Sequence, residues 1–237
     1  MTDKPNIVWI TGAATGIGRA LSTVFVKNGL NVLGSSRRET QLERFQKELS
    51  AEKGNFIFEP ADISKKDDVA RVIEKIEKKY NVDCLINNAG VTAFKLVTDT
   101  TSKEVEEIIS ANLIGAIHTT QSVLPGMIER NKGTILNIIS AAATKVFTKS
   151  GVYAASKAGL LAFSNVLREE LRGTNIRIIN VLPGATKTPI WPNHVLEKST
   201  GKMMSPEELA KLIFEFYSIK TNMVVEEITI KPITGDL

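Results

Sequence analysis

Short apolar runs alternate with longer amphipathic stretches along the whole chain. Runs at residues 6–10, 31–35, 55–59, 83–87, 134–140, 176–182 and 226–231 predict strands. Between them apolar residues recur at helical spacing, as with Ile17, Leu21, Val24 and Phe25, and again with Val69, Val72, Ile73 and Ile76. Residues 152–172 read as a helix whose apolar side holds Leu160, Leu161, Phe163, Val166, Leu167 and Leu171, with Gly173 as its stop. A long helix over 102–130 places Val105, Ile108, Ile109 and Asn112 on one stripe. Ser64-x-x-Asp67 predicts a capping-box start, and Ser205 followed by Pro206, Glu207 and Glu208 predicts the start of the last helix. Regular strand–helix alternation implies an α/β fold, a doubly wound parallel sheet of about seven strands with helices on both faces. Ligands then bind beyond the carboxyl ends of the strands. With no linker, repeat or low-complexity segment, residues 1–237 are expected to form one domain.

Two patterns bear on chemistry. Thr11-Gly-Ala-Ala-Thr-Gly-Ile-Gly18 follows the first apolar run and precedes a helix. Glycines there permit a tight turn, and backbone N–H groups at the helix start can approach a pyrophosphate. The G-x-x-x-G-x-G spacing differs from the more familiar G-x-G-x-x-G fingerprint. Tyr153 and Lys157, four residues apart, share one helix face, with Ser140 thirteen residues before the tyrosine. A nearby cation favours the phenolate, so the pairing is expected to lower the Tyr153 pKa toward neutrality. Asn112 puts an amide on an apparently buried stripe, either as a satisfied core residue that bends the helix or in a functional role.

Taken together these residues resemble the short-chain dehydrogenase/reductase family, over nearly the whole chain and in the family's order. Thr11-Gly-x-x-x-Gly-Ile-Gly18 matches its cofactor turn, Asp62-Ile63 its adenine-side pair, and Asn87-Asn88-Ala89-Gly90 the signature after the fourth strand. Asn112, Ser140, Tyr153 and Lys157 match the catalytic tetrad, and Pro183-Gly-x-x-x-Thr188 the segment facing the nicotinamide. The resemblance implies a Rossmann-like domain that binds a nicotinamide dinucleotide through Gly12, Thr15, Gly16, Ile17, Gly18, Ser36, Arg37, Asp62, Ile63, Asn88, Ala89, Gly90, Tyr153, Lys157, Pro183, Gly184, Thr186 and Thr188. It also implies hydride transfer between nicotinamide and a carbonyl carbon. Tyr153 would move the proton and Ser140 would hold the substrate oxygen. Lys157 would lower the tyrosine pKa and bind the ribose, and Asn112 would position a relay water. Relatives commonly pair as homodimers or homotetramers through the two long helices, where Leu113, Ile114 and Ile117 supply apolar surface. Thr186, where Val or Ile is usual, and the missing Asp-Gly-Gly near the end depart from the common pattern, and the latter weakens the fatty-acid-synthesis branch.

Cofactor choice is read at the end of the second strand. Ser36 stands where NAD-dependent members carry an acid, and Arg37 follows, so NADP(H) is expected. Arg37 and Arg38 also fit plain surface charges at a helix start. Residues 184–205 are expected to form a flap, with Trp191 from it, Phe94, and Val146 with Phe147 as walls beside Ser140 and Tyr153. Such walls fit a hydrophobic ketone or aldehyde, the apolar body of a larger molecule, or packing alone. The leading expectation is an NADPH-dependent carbonyl reductase acting on a small carbonyl or alcohol. A 3-oxoacyl-thioester reductase, with Lys145, Lys149, Lys187 or Lys198 drawing an acidic carrier, and a non-catalytic cofactor-binding scaffold are alternatives.

Composition narrows the rest. A formal charge of +4 with Lys and Glu interleaved, as over 74–79, reads as a solvated helix face, so no nucleic-acid partner is expected. No apolar run approaches ~18 residues and the first residues are polar, so neither a membrane span nor a signal peptide is expected. The one cysteine, Cys84, lies in a strand-like run, suiting packing and a cytoplasmic location. His118 and His194 have no partners at metal-ligand spacing, so no metal is expected.

Overall fold

Each expected strand forms, within two residues of its sequence bounds, in the computed structural model, which describes residues 4–219 and 223–237. Residues 1–3, part of the polar start, lie outside those described. The strands are β1 (Asn6–Thr11), β2 (Val32–Ser36), β3 (Phe56–Pro60), β4 (Asn81–Asn87), β5 (Gly133–Ile138), β6 (Ile176–Pro183) and β7 (Glu227–Ile230). The helices are α1 (Gly16–Lys27), α2 (Glu39–Glu48), α3 (Lys66–Glu77), α4 (Ser102–Ile109), α5 (Gly115–Glu129), α6 (Gly151–Glu170), α7 (Asn193–Ser199) and α8 (Pro206–Ser218). The sheet is parallel throughout with order β3-β2-β1-β4-β5-β6-β7. The order reverses between β1 and β4, where a Rossmann-like sheet opens its ligand crevice.

Alternation along each strand sorts side chains onto two faces. Val8 and Ile10, with Cys84 and Ile86, pack against α1, α2 and α8 through Phe25, Phe45 and Ile213. Ile7 and Trp9, with Leu85 and Ile135, pack against α3, α5 and α6 through Val72, Met127 and Leu167. The second face also carries three buried asparagines in register, Asn87 beside Asn137 and Asn137 beside Asn180. Asn87 Nδ2 donates to Asn137 Oδ1 (2.9 Å) and Asn137 Nδ2 to Asn180 Oδ1 (3.2 Å). Thr119 and Thr120 of α5 bond Asn87, and Ser164 of α6 bonds Asn137 and Asn180. This ladder locks the two helices to the strands at one rotational setting, since buried polar groups tolerate few arrangements.

Local chemistry departs from expectation at three places. The helix after Ser64 begins at Lys66 without a side-chain cap, because Lys65 and not Ser64 stands at its N-cap; the Ser64 hydroxyl donates to Asp62 Oδ1 (2.7 Å). The Ser205 cap does form, accepting from the N–H groups of Glu207 and Glu208. The expected 102–130 helix is interrupted by a π-helical turn over Ser110–Ile114, and Asn112 sits in it. On α6, Val166 faces outward at 59% exposure, leaving Leu160 and Leu167 as the buried stripe.

Candidate active site

The glycine turn after β1 is shaped by two left-handed residues, Gly12 (φ +67°) and Gly16 (φ +55°). A Cβ on Gly12 would stand 2.9 Å from the Ala89 Cα, and one on Gly18 would collide with Asn88 and the Gly12 carbonyl. Thr11 Oγ1 accepts from the N–H groups of Asn88 (3.0 Å) and Ala89 (3.1 Å), while Asn88 Nδ2 donates to Thr11 O (2.8 Å). The turn and the segment after β4 are therefore one laced unit. It leaves the first backbone N–H groups of α1 facing the crevice, the arrangement that binds phosphate.

A cavity of about 1000 Å³ runs across the carboxyl ends of the strands. This is the upper end of the size range for cofactor sites. Ser36, Arg37, Asp62 and Ile63 line its end beside β2 and β3. Gly12, Thr15, Gly16, Ile17, Asn88, Ala89 and Gly90 line the middle. Pro183, Gly184, Thr186 and Thr188 line the part beside β6, with Ser140, Tyr153 and Lys157 close by. Gly18 lies beneath the turn as a close-packing position outside the lining. Arg37 is exposed and forms no ion pair among the described residues, so its charge is free for a ligand. A carboxylate that would repel a phosphate is absent at Ser36, whose hydroxyl accepts from the Arg38 N–H.

Of the expected tetrad, Ser140, Tyr153 and Lys157 line the cavity, and Asn112 and Lys157 flank Gly90. The Ser140 side chain is near enough to act on the Tyr153 phenol, and Ser140 Oγ accepts from the Ala142 N–H (3.1 Å). Lys157 is 3% exposed and its Nζ donates to Ile138 O (2.9 Å), with the ammonium 5.9 Å from the Tyr153 ring centroid. Asn112 is buried behind Gly90 and does not line the cavity; its Oδ1 accepts from the Val91 N–H (2.8 Å). A Cβ on Gly90 would stand 3.2 Å from Asn112 Oδ1 and 3.6 Å from Lys157 Nζ, so only glycine fits comfortably between them.

The expected lowering of the Tyr153 pKa is not what this geometry gives. Burial pushes the phenol up, and the Ser140 hydrogen bond only partly opposes it. Lys157 is itself pulled down to about 8 by burial. The sequence spacing shows that the two groups share a face, whereas desolvation acts on both and outweighs their attraction.

At the substrate end Phe94 and Trp191 stack face to face, centroids 4.8 Å apart at an interplanar angle of 7°. The Trp191 Nε1–H donates to Thr186 O (3.0 Å), which fixes the ring. Thr186 and Met204 form an isolated parallel bridge that pins the two ends of the segment between them together. Phe147 lines the cavity, but Val146 does not. Val146 is 98% exposed, because its neighbour Lys145 is drawn to Asp236 (2.8 Å) and the loop turns it to solvent. Asp236 and Leu237 line the cavity too, contributions the sequence reading did not anticipate.

The short-chain dehydrogenase profile matches residues 6–198. The chain is 36% identical over 240 residues to a sepiapterin reductase of Chlorobaculum tepidum, covering 98% of each. It is 32% identical to a 3-oxoacyl-(acyl-carrier-protein) reductase of Thermotoga maritima, covering 94% of each. Among solved structures, the closed form of a serine dehydrogenase complexed with NADP+ superposes with a TM-score of 0.91 at 26% identity, covering 98% of this chain and 96% of that one. This chain belongs to the short-chain dehydrogenase family.

Within this dehydrogenase, Ser156 is a further residue the sequence reading missed. It is fully buried between Asn112 and the Tyr153 turn, and only its place next to Lys157 hinted at a role. Cys84 is buried and its thiol is pushed up by desolvation, consistent with packing. His118 contacts Ile63 O (3.4 Å) and no group of metal-ligating side chains occurs among the described residues. No helix among them is long and apolar enough to cross a membrane.

Proposed function

We propose that this dehydrogenase is an NADPH-dependent carbonyl reductase that turns a ketone or aldehyde into an alcohol. The observation that carries the reading is one cavity holding Ser140 and Tyr153 at one end and, at the other, an Arg37 with no ion pair among the described residues. The crevice suits a dinucleotide: the glycine turn for the pyrophosphate, Asp62 and Ile63 beside the adenine, Arg37 and Ser36 at a 2′-phosphate, and Lys157 at the ribose. The bound nicotinamide supplies the hydride, as cofactors do in such enzymes. The similar serine dehydrogenase is complexed with NADP+, which supports the choice of the phosphorylated cofactor.

This chain's own residues then handle oxygen and proton. Ser140 donates to the substrate oxygen and stabilises its developing charge. Tyr153, held protonated by burial, gives its proton to that oxygen, so the environment favours the reductive direction near neutral pH. Lys157 remains largely cationic at pH 7, polarises the site and holds Ile138 O. Asn112 fixes the loop at Val91 and supports a water path toward Lys157. The Phe94–Trp191 stack and Phe147 wall the substrate end with apolar surface.

In this reading residues 1–237 act as one domain with a flap over 184–205, and copies pair through α4, α5 and α6. Exposed Ile114, Ile128 and Val166 on those helices support the pairing. The thioester-reductase alternative draws support from the Thermotoga relative, but Lys145 is engaged by Asp236 and not free for an acidic carrier. NADPH consumption across ketones, aldehydes, diketones and 3-oxoacyl thioesters tests the proposal. Turnover confined to thioesters would favour the alternative, and cofactor binding with no turnover would favour a scaffold.

A further inference from the structure

We propose that Ser156 is a positioning residue: its hydroxyl fixes the Asn112 side-chain amide and, through it, the Gly90–Val91 backbone beside Lys157. Ser156 Oγ donates to Tyr153 O (2.7 Å), the i−3 bond a helical serine readily makes. Its lone pairs then face Asn112, whose Nδ2 donates to it (2.9 Å). The same Nδ2 donates to Val91 O (2.9 Å), and Asn112 Oδ1 accepts from the Val91 N–H (2.8 Å). Both amide N–H groups are thus spent, one on each partner. A flipped amide would set N–H against the Val91 N–H and oxygen against oxygen at Ser156.

Three separate pieces of chain meet in this clamp. Val91 belongs to the loop after β4, Asn112 to the π-helical turn, and Ser156 to α6 between Tyr153 and Lys157. A π-helical turn gives up regular i→i−4 bonds, so side-chain bonds inside it carry more of the local order. Without Ser156 Oγ a fully buried N–H of Asn112 has no acceptor, and the amide must rotate or draw in water. Rotation breaks both Val91 bonds. Gly90 then drifts within a space already narrow against Asn112 Oδ1 and Lys157 Nζ.

The test uses the full chain, first without nucleotide. Ser156→Ala should raise hydrogen exchange at the Val91 amide about tenfold or more, since a local opening then suffices for exchange. The amides of Asn88 and Ala89, held by Thr11, serve as controls that should not change. Ser156→Cys, close in size but a weak acceptor, should act in the same direction and guards against a single ill-folded variant. In turnover, which rests on the reductase reading, kcat should fall roughly 10- to 100-fold, the scale of a small misplacement. NADPH affinity should stay within about threefold of the unmodified chain. In an Asn112→Leu background Ser156→Ala should cost nothing further in kcat, because its effect passes through that amide. Unchanged Val91 exchange, or an equal loss of kcat in both backgrounds, overturns the proposal. If the unmodified chain turns nothing over, the reductase reading fails, while the clamp stands or falls on the exchange at Val91.

Discussion

Burying Lys157 costs this fold stability, and the cost has a pH signature. The ammonium is 3% exposed with one hydrogen bond, to Ile138 O. Desolvation brings its pKa from 10.5 to about 8. At 1.36 kcal/mol per pH unit this corresponds to about 3 kcal/mol of folding free energy. Below pH 8 the group is protonated in both folded and unfolded chains, and the whole cost is present. Between 8 and 10.5 the unfolded chain holds the extra proton, so stability rises with pH. Above 10.5 both forms are neutral and the cost is gone.

Replacement by methionine isolates that term. Lys157→Met keeps an unbranched side chain and helix propensity but carries no charge. The lost bond to Ile138 O shifts the variant's stability by a similar amount at every pH, so it sets an offset and no slope. Other titrating groups are common to both proteins and cancel in the difference. Tyr153, whose pKa burial pushes up, is among those shared groups. Urea unfolding without nucleotide at pH 7, 8, 9, 10 and 10.5 measures the difference. The unmodified chain should gain about 3 kcal/mol relative to Lys157→Met across that range, nearly all of it above pH 8. A difference that stays flat with pH, or moves the other way, would refute the buried-cation argument.

Three further outcomes are expected. Tyr153→Phe should lower kcat about 10²- to 10⁴-fold with NADPH binding retained, because it removes the proton donor and leaves the crevice intact; near-normal turnover would exclude that role. The unmodified chain should prefer NADPH to NADH roughly 10- to 150-fold in kcat/KM, the worth of a charge-assisted contact at Arg37, and Ser36→Asp with Arg37→Ala should reverse it. That preference should weaken with salt, since Arg37 is exposed, and equal use of both cofactors would remove the charge argument. Light scattering at micromolar concentration should give a dimer or tetramer, and a monomer would leave Ile114, Ile128 and Val166 without their proposed partner.

Much of the fold was legible because its signals are periodic and local. Apolar runs bounded by turn residues gave strands, and the glycine spacing gave the turn. Asn112 stood out as an amide on an apolar stripe, though its π-helical setting did not, since pattern does not register an inserted residue. The asparagine ladder was not anticipated, although Asn137 and Asn180 interrupt apolar runs and Asn87 ends one. What sequence lacked was register, and only register shows that the three are neighbours. Ser156 gave no such signal, as serine is common in helices for many reasons. The Tyr153 pKa was misjudged because spacing reports proximity and says nothing of burial, which dominates here. Ser64 failed as a cap because the helix starts one residue later than the spacing implies, with Lys65 at the N-cap position.

The asparagine ladder lies on one side of the sheet, and that placement has a physical reason. The α1–α2–α8 side is built almost entirely from apolar contacts and can rely on shape alone. The α5–α6 side must bring Asn112 from one helix and Tyr153 and Lys157 from another to one end of the cavity, with Asn112 and Lys157 both beside Gly90. Apolar packing is non-directional and tolerates small sliding of helices, which would spoil that approach. Directional bonds from Asn87, Asn137 and Asn180 to Thr119, Thr120 and Ser164 remove that freedom lower on the same helices. Ser156 and Asn112 repeat the device one layer nearer the cavity. Since a satisfied buried polar network contributes little net stability but penalises every misaligned arrangement, its value here lies in geometry. The buried Lys157 cation is the converse, a stability cost kept where the proposed chemistry needs a charge.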